Sequence, residues 1–565
     1  MGRLLRLRWL LVCLLGLLIL RLVQLQLVRG AHYRQLAERN RLRLVPEQAP
    51  RGLILDRHGR ILASNQTVFR VAIVPQELED LPAVLREIST LVHRPPAALE
   101  RAYERERGLA FVPATVVSHV PKDAAIRLEE ERWRLPGLLV KPEVVRHYPR
   151  GSSAAHLLGY LGQPTPEELP LLKRYGVHPR HLVGRMGLER WLDHDLRGRS
   201  GGLMVEVDHR ARQVRVVGRR PPEAGARVTL TIDAQLQSLI EQALGTQPGA
   251  CVVLDPETGE VLAMASWPAF SPETFLAPDE DAVRRLLNDP RAPLMNRATV
   301  GVYQPGSILK LVTASAALEA NVITPSTTIV CPGSLMIGDR TFHCWDQDGH
   351  GPLALREALA QSCNVYFMQV GRRLGLSRLH AALEQMGISR RAGWPLEEQA
   401  GHLPRRRMTE GEVALLAMGQ GEVLITVLQS AIMAGAVANQ GWLVEPWVVR
   451  DVAGRPTPGR PARRRLGWSD ATIGAVRAGM EAVVRDPAGT GYRALSPVVT
   501  VAGKTGTAQT YLPDQPHGWF VGYCPVEQPR AAMAIVTEHG GAGGDLPAEM
   551  ARAICEYLSA EAVNE

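Results

Sequence analysis

An α/β fold is predicted for the larger, carboxyl-terminal part of this chain, and three features of the sequence predict it. Two strand-like runs flank the turn sequence Pro256-Glu257-Thr258-Gly259, a helical stretch extends from residue 307 to about 438, and strand patterns return at 517–523 and 532–536 before a closing helix at 548–558. Sheet segments alternating with helices in this way build a layered α/β sandwich. Near the amino end, an apolar run predicts one transmembrane helix.

The length of 565 residues allows two or more domains, and the 45% hydrophobic content excludes wholesale disorder. The formal charge of +8 is spread along the chain, and aromatics are only 5% of residues. Nucleic-acid binding would need clustered basic and stacking groups, so no nucleic-acid partner is expected. A basic exterior suits an anionic envelope surface, or simply a solvated face.

Residues 1–8 carry Arg3, Arg6 and Arg8, and residues 9–20 are uninterrupted apolar sequence. Arg21 and a mixed run to Val28 follow, with no small-x-small cleavage site after them. A helix over 9–28 would span roughly 30 Å, enough for the hydrocarbon core if Arg21 snorkels. The expectation is an uncleaved anchor with residues 1–8 in the cytoplasm and the chain from residue 29 outside, although Arg21, Arg29 and Arg34 oppose that orientation.

A charged helical segment is expected from 31 to about 47, then a hairpin over 51–63 with its turn at His58-Gly59. A Pro/Gly-containing connector at 219–226 divides a domain at 29–225 from one at 226–565. In the second domain Asp233 is a candidate N-cap, and 250–255 with 260–266 form the first hairpin. The Pro-, Gly- and Arg-rich stretch 450–465 reads as an exposed, mobile loop. A helix over 471–484 and a strand over 498–501 come after it.

The candidate site begins at Tyr303-Gln304-Pro305-Gly306-Ser307-Ile308-Leu309-Lys310. Pro305 and Gly306 end what precedes them, so a helix can begin beside Ser307, with Lys310 one turn on. A serine hydroxyl is a weak nucleophile at neutral pH and needs an adjacent base. Lys310 serves only if desolvation and a second cation lower its pKa. Alone, Ser-x-x-Lys is common on helix surfaces. Here Ser362-Cys363-Asn364 and Lys504-Thr505-Gly506-Thr507 follow it in order.

These three segments resemble the signature of penicillin-binding proteins and serine β-lactamases. Upstream, 51–63, Arg146-His147-Tyr148-Pro149-Arg150-Gly151, 155–162 and 184–189 resemble the non-catalytic pedestal of class B penicillin-binding proteins, with His58 where asparagine is usual. His58, His156 and Glu189 read as structural. Asn40-Arg41-Leu42-Arg43 is similar to the elongation type rather than the septal type. The resemblance implies a β-lactamase-like transpeptidase domain on an α+β pedestal, with no glycosyltransferase-sized segment before it. It further implies work beside a SEDS-family glycosyltransferase and the elongation machinery. A β-lactam sensor or a non-catalytic scaffold are the rivals.

By that resemblance Ser307 attacks the penultimate D-alanine of a peptidoglycan stem peptide, Lys310 takes its proton and Ser362 relays it to the leaving amine. Asn364 and Thr505 hold the substrate, and Lys504 is the second cation, able to lower Lys310 and attract a carboxylate. Gly503 and Gly506 would let a peptide lie against the strand edge, and the N–H groups of Ser307 and Thr507 form the oxyanion hole. An amine completes transpeptidation, whereas water gives carboxypeptidase action. β-Lactams acylate the same serine. The chemistry implies no cofactor.

Cys331, Cys344, His350 and Cys363 form C-x12-C-x5-H-x12-C, a donor set that could close a tetrahedral zinc site. A disulfide, for instance 331 with 344, is the rival reading. Some elongation-type relatives carry zinc beside the Ser-x-Asn motif, which the arrangement resembles. Cys13 belongs to the anchor, and Cys251, Cys524 and Cys555 read as core residues.

Overall fold

A computed structural model describes residues 2–33, 35, 42–108, 113–173, 182–207, 213–276, 280–457, 462–510, 512 and 515–564. Arg34, Asn40 and Arg41 lie outside these. The amino end forms the helix Gly2–Val23, continued by a wider π-type turn at Gln24–Val28. Leu4–Val28, 25 residues, is long and apolar enough to cross a membrane.

The chain divides into two compact units. One comprises Met1–Gly52, Asn65–Val145 and Arg197–Gly225. Helices Leu81–Val92, Pro96–Glu106 and Lys122–Glu130 and the strand Ala114–Val120 enclose a core of Val71, Ile73, Leu85, Ile88, Leu99 and Leu128. This is an α+β arrangement. The helix expected up to residue 47 is not formed at its end, because Leu42–Glu47 is a strand paired antiparallel with Gly201–Val207. Pro46 cannot donate in a helix interior, and the ladder partner lies far along the chain, beyond the reach of local periodicity.

The other unit comprises Leu53–Ser64, Arg146–Leu196 and Ala226–Glu565. Ile54 and Leu55 pair with Ala63 and Ile61 in the expected hairpin, and Asp56 Oδ1 closes its turn by accepting from the N–H groups of His58 and Arg60 at 2.9 and 2.7 Å. His58 Nε2 then lies 2.9 Å from Glu561 Oε1. His156 is buried on the carbonyl of Pro293 (2.7 Å), and Glu189 forms a buried pair with Arg146 (2.6 Å).

Five antiparallel strands form the central sheet: β1 (Gly249–Leu254), β2 (Val261–Trp267), β3 (Ala502–Ala508), β4 (His517–Cys524) and β5 (Ala531–Thr537), in the order β2-β1-β5-β4-β3. Alternate residues serve different cores. Cys251, Val253, Met533 and Ile535 pack with helices α1 (Ala234–Leu244) and α2 (Leu546–Asn564), while Val252, Leu254, Ala532 and Ala534 pack with the helical middle. Both faces are covered, which is why these strands read as continuous apolar runs. Asp233 caps α1 as expected, accepting from the N–H groups of Gln235 and Leu236.

Two expectations need correction. The strand placed at 498–501 begins at Ala502, where pairing with β4 starts. The stretch 450–465 is not wholly loop. Val449–Val452, Arg455–Pro456 and Arg463–Arg465 are short strands, the first paired with Val228–Leu230 and the last with Trp442–Val444. Distant partners override their turn-rich composition.

Candidate active site

The turn carrying Ser307 depends on glycine at two close contacts, Gly306 and Gly419. Gly306 sits in the left-handed region (φ +56°) and donates its N–H to the Gly419 carbonyl at 2.9 Å. A Cβ on Gly419 would stand 1.9 Å from the Gly306 carbonyl oxygen, and one on Gly306 would stand 2.9 Å from that of Thr507. Residues Gly306–Leu309 form a 3-10 turn, and the α-helix Lys310–Glu319 follows directly. Trp519 Nε1 donates to the Gln304 carbonyl (3.1 Å), while Tyr303 donates to Glu538 Oε1 (2.8 Å), whose other oxygen pairs with Arg297 (3.0 Å). Ser307 is thereby half-buried at the start of a helix whose residues from Lys310 to Ala317 are buried.

Ser362 also adopts positive φ (+54°), an uncommon conformation for a non-glycine residue. Cys363 then caps the helix Asn364–Leu374. Lys310 Nζ donates to the Ser362 carbonyl (2.7 Å), to Asn364 Oδ1 (2.7 Å) and to Ser362 Oγ (3.3 Å). Lys504, opposite Val521 on the edge strand β3, donates to the same Ser362 Oγ at 2.9 Å and to the Thr505 carbonyl at 2.8 Å. Two lysines converge on one serine hydroxyl.

Both lysines are fully buried. Burial pushes Lys310 down to about 7, with the thiols of Cys363 and Cys344 acting slightly the other way. Lys504 is lowered well below the usual lysine range by burial first and by the charge of Lys310 second. The proximity effect expected on Lys310 thus falls chiefly on Lys504, because two ammonium groups cannot share this dry pocket. The Ser307 hydroxyl makes no hydrogen bond among the described residues, and Lys310 directs its donors to residues 362 and 364.

The strand β3 presses on the serine turn, since a Cβ on Gly506 would stand 3.0 Å from the Pro305 carbonyl oxygen. Thr507 is exposed beside it, and Thr505 is buried with its hydroxyl 2.6 Å from that of Thr490. The outer edge of β3 has no strand partner among the described residues, leaving a row of backbone groups for an extended chain.

The four sulfur and imidazole donors also come together. Cys331 Sγ, Cys344 Sγ, Cys363 Sγ and a His350 ring nitrogen lie within 4.8 Å of one another. His350 Nδ1 is 3.5 Å from the sulfurs of both Cys331 and Cys344, near the roughly 3.6 Å that tetrahedral zinc imposes between an imidazole nitrogen and a thiolate. The sulfurs of Cys344 and Cys363 accept backbone N–H groups from Asn364 and Tyr366, and buried His350 Nε2 has no partner among the described residues. Hydrogen bonding from Cys363 lowers the Cys344 thiol, while Cys363, as the donor of that bond, is pushed up. This donor set fits a thiophilic cation. The cysteines of the disulfide rival, 331 and 344, are unpaired; instead Cys524 and Cys555, read as ordinary core residues, form a disulfide within the buried core.

A family model described as the penicillin-binding protein transpeptidase domain matches residues 249–556, more than half of the chain, and a second, described as the penicillin-binding protein dimerisation domain, matches 46–230. The chain belongs to the penicillin-binding proteins. This penicillin-binding protein is 32% identical over 581 residues to the peptidoglycan D,D-transpeptidase MrdA of Haemophilus influenzae, covering 96% of the chain and 89% of that relative. Its fold matches penicillin-binding protein PBP2 of Helicobacter pylori, solved in complex with MreC, at TM-score 0.78 and 27% identity over 91% of this chain and 99% of that one. It also matches a chain of a peptidoglycan synthase complex that coordinates polymerization and crosslinking, at TM-score 0.75 and 30% identity over 98% of each chain. The α/β transpeptidase fold with a dimerisation domain is that of the family.

Thr490, Arg297 and Glu538 escaped the sequence reading. The glycines either side of Thr490 were a usable signal for a close-packed loop, whereas Glu538 lies 235 residues from Tyr303 with no local pattern to mark it.

Proposed function

We propose that this penicillin-binding protein is a peptidoglycan D,D-transpeptidase that cross-links stem peptides through a Ser307 acyl-enzyme during cell-wall elongation and is acylated by β-lactams. The observation that carries the reading is the meeting of Lys310 and Lys504 at the Ser362 hydroxyl, beside the half-buried serine turn. A lysine with a pKa of about 7 is neutral often enough at neutral pH to accept a proton.

Ser307 Oγ attacks the carbonyl of the penultimate D-alanine and gives its proton to Lys310. Ser362, bonded to both lysines, passes a proton to the departing nitrogen, and the terminal D-alanine leaves as an amine. An amine from a second stem peptide then attacks the ester, loses a proton through the same groups and restores the serine. The N–H groups of Ser307 and Thr507 stabilise the oxyanion in both halves, each donor typically worth about 2.7–4 kcal/mol. Asn364 holds the peptide amide, while Lys504 and Thr505 receive the terminal carboxylate. Gly506 leaves the β3 edge open to the extended peptide.

Residues 9–28 serve as the membrane anchor of an inner-membrane protein, 29–225 as the pedestal and 226–565 as the extracytoplasmic transpeptidase domain. The Cys524–Cys555 disulfide supports an oxidising compartment for that domain. The match to the peptidoglycan D,D-transpeptidase MrdA supports the elongation role. A SEDS-family glycosyltransferase as working partner rests on the sequence resemblance, and the match to a chain of a peptidoglycan synthase complex supports work beside a polymerizing enzyme. Cys331, Cys344, His350 and Cys363 would hold a structural zinc ion, which supplies rigidity next to Ser362 and Asn364 and no step of the reaction.

Covalent labelling by a fluorescent penicillin tests the assignment: label is expected on the full chain, is lost in Ser307→Ala, and persists with slow release. Rapid turnover would identify a β-lactamase, and no label a scaffold. Metal analysis of protein prepared without chelator should find about one zinc per chain. Less than about a tenth, with a 331–344 disulfide in the mass spectrum, would end the zinc reading.

A further inference from the structure

The helix Asp470–Arg485 ends in the loop Asp486-Pro487-Ala488-Gly489-Thr490-Gly491. Asp486 folds the loop back, accepting on Oδ1 from the Ala488 N–H (3.0 Å) and on its carbonyl from that of Gly489 (2.7 Å). Both glycines lie against the helix end, since a Cβ on Gly489 would stand 2.3 Å from the Val483 carbonyl oxygen and one on Gly491 2.9 Å from Val483 Cγ1. The threonine between them is delivered to one place. Its N–H donates to the Ala360 carbonyl at 3.0 Å, and its hydroxyl lies 2.6 Å from Thr505 Oγ1 and 3.3 Å from the same Ala360 oxygen.

We infer that Thr490 is a positioning residue that sets the direction of the Thr505 hydroxyl proton and so tunes recognition of the substrate carboxylate. This rests on the reading of Thr505 as a carboxylate contact. The hydroxyls have two protons and a single short bond between them. In one arrangement Thr505 donates to Thr490 and Thr490 to Ala360, so Thr505 turns only lone pairs toward an incoming anion. In the other, Thr490 donates to Thr505, and the Thr505 proton is free for the carboxylate. The Ala360 oxygen keeps its backbone N–H in both, so the change needs only rotation of two hydroxyls. Thr505 is 5% exposed, which leaves water a poor substitute for Thr490. A carboxylate therefore selects the second arrangement, and a donor behind Thr505 strengthens the bond Thr505 makes in front.

The test compares second-order acylation of the full-length protein by benzylpenicillin and by its methyl ester, which lacks the anion. The ratio of the two rates should fall about tenfold in Thr490→Val and Thr490→Ala, and stay within about twofold of wild type in Thr490→Ser. The alanine variant guards against a packing fault peculiar to valine. Equal slowing toward both compounds in the two variants without a hydroxyl would make Thr490 merely structural and overturn the inference. The companion Thr505→Val separates the two levels. If Thr505→Val lowers the ratio and the Thr490 variants do not, the inference falls while the carboxylate reading stands; if Thr505→Val leaves the ratio unchanged, both fall.

Discussion

Two buried clusters meet at Ser362-Cys363-Asn364, and they present opposite electrostatic problems. On one side, Lys310 and Lys504 are removed from water, and the hydrogen-bond acceptors they meet are carbonyl, amide and hydroxyl oxygens. On the other, three sulfurs and an imidazole crowd together, with backbone N–H groups aimed at the sulfurs of Cys344 and Cys363. The first arrangement penalises positive charge and so makes a lysine basic enough to act yet neutral enough to accept a proton. The second suits a cation and, in the proposed reading, would become rigid on binding one. Chemistry is placed where charge is uncomfortable, and anchoring where a cation would relieve it.

The contrast is broken most severely through Lys310. Lys310→Met keeps the bulk of the buried chain and removes the base, so penicillin acylation of the folded protein should fall by about 10²–10⁴-fold. A loss under about tenfold would remove Lys310 from the role of base.

Proton occupancy sharpens the same side. Because its pKa is lowered to about 7, Lys310 is protonated below that pH and neutral above it. Acylation should rise about tenfold per pH unit up to about 7 and level off beyond, measured as a rate against pH with wild-type protein. A rise continuing toward the ordinary lysine value would show that the pocket does not exclude charge.

Cys363→Ser attacks the other cluster. Zinc content should drop, the thermal midpoint should fall by about 5 °C, and acylation should slow by about tenfold, less than for Lys310→Met. If a folded Cys363→Ser protein were as inactive as Lys310→Met, the division into reacting and anchoring groups would be wrong. The double change Cys524→Ser, Cys555→Ser is the remote control. Opening a bridge across 31 residues should cost about 3–4 kcal/mol in denaturant unfolding and leave the acylation rate unaltered.

Much of the fold was readable because its signals are local. The Asp233 cap, the hairpin around Pro256-Glu257-Thr258-Gly259 and the doubly covered strands β4 and β5 each announce themselves within a dozen residues. Segments whose structure depends on a distant ladder partner were misread. Leu42–Glu47 was expected as helix and residues 450–452 as loop, yet each is fixed by a strand far away in the chain. The helical middle was likewise not uniform, since short strands from Ile329 to Leu353 carry Cys331 and bracket Cys344 and His350.

By itself the sequence determined the groups proposed to react: Ser307, Lys310, Ser362, Asn364 and Lys504 are recognisable by type and order, because side-chain chemistry is carried by the residue. Tertiary structure alone decided which amine meets which hydroxyl, which lysine bears the heavier penalty, and that Thr490 stands behind Thr505. Burial and hydrogen-bond geometry are properties of surroundings assembled from residues up to hundreds of positions apart, and no single segment contains them.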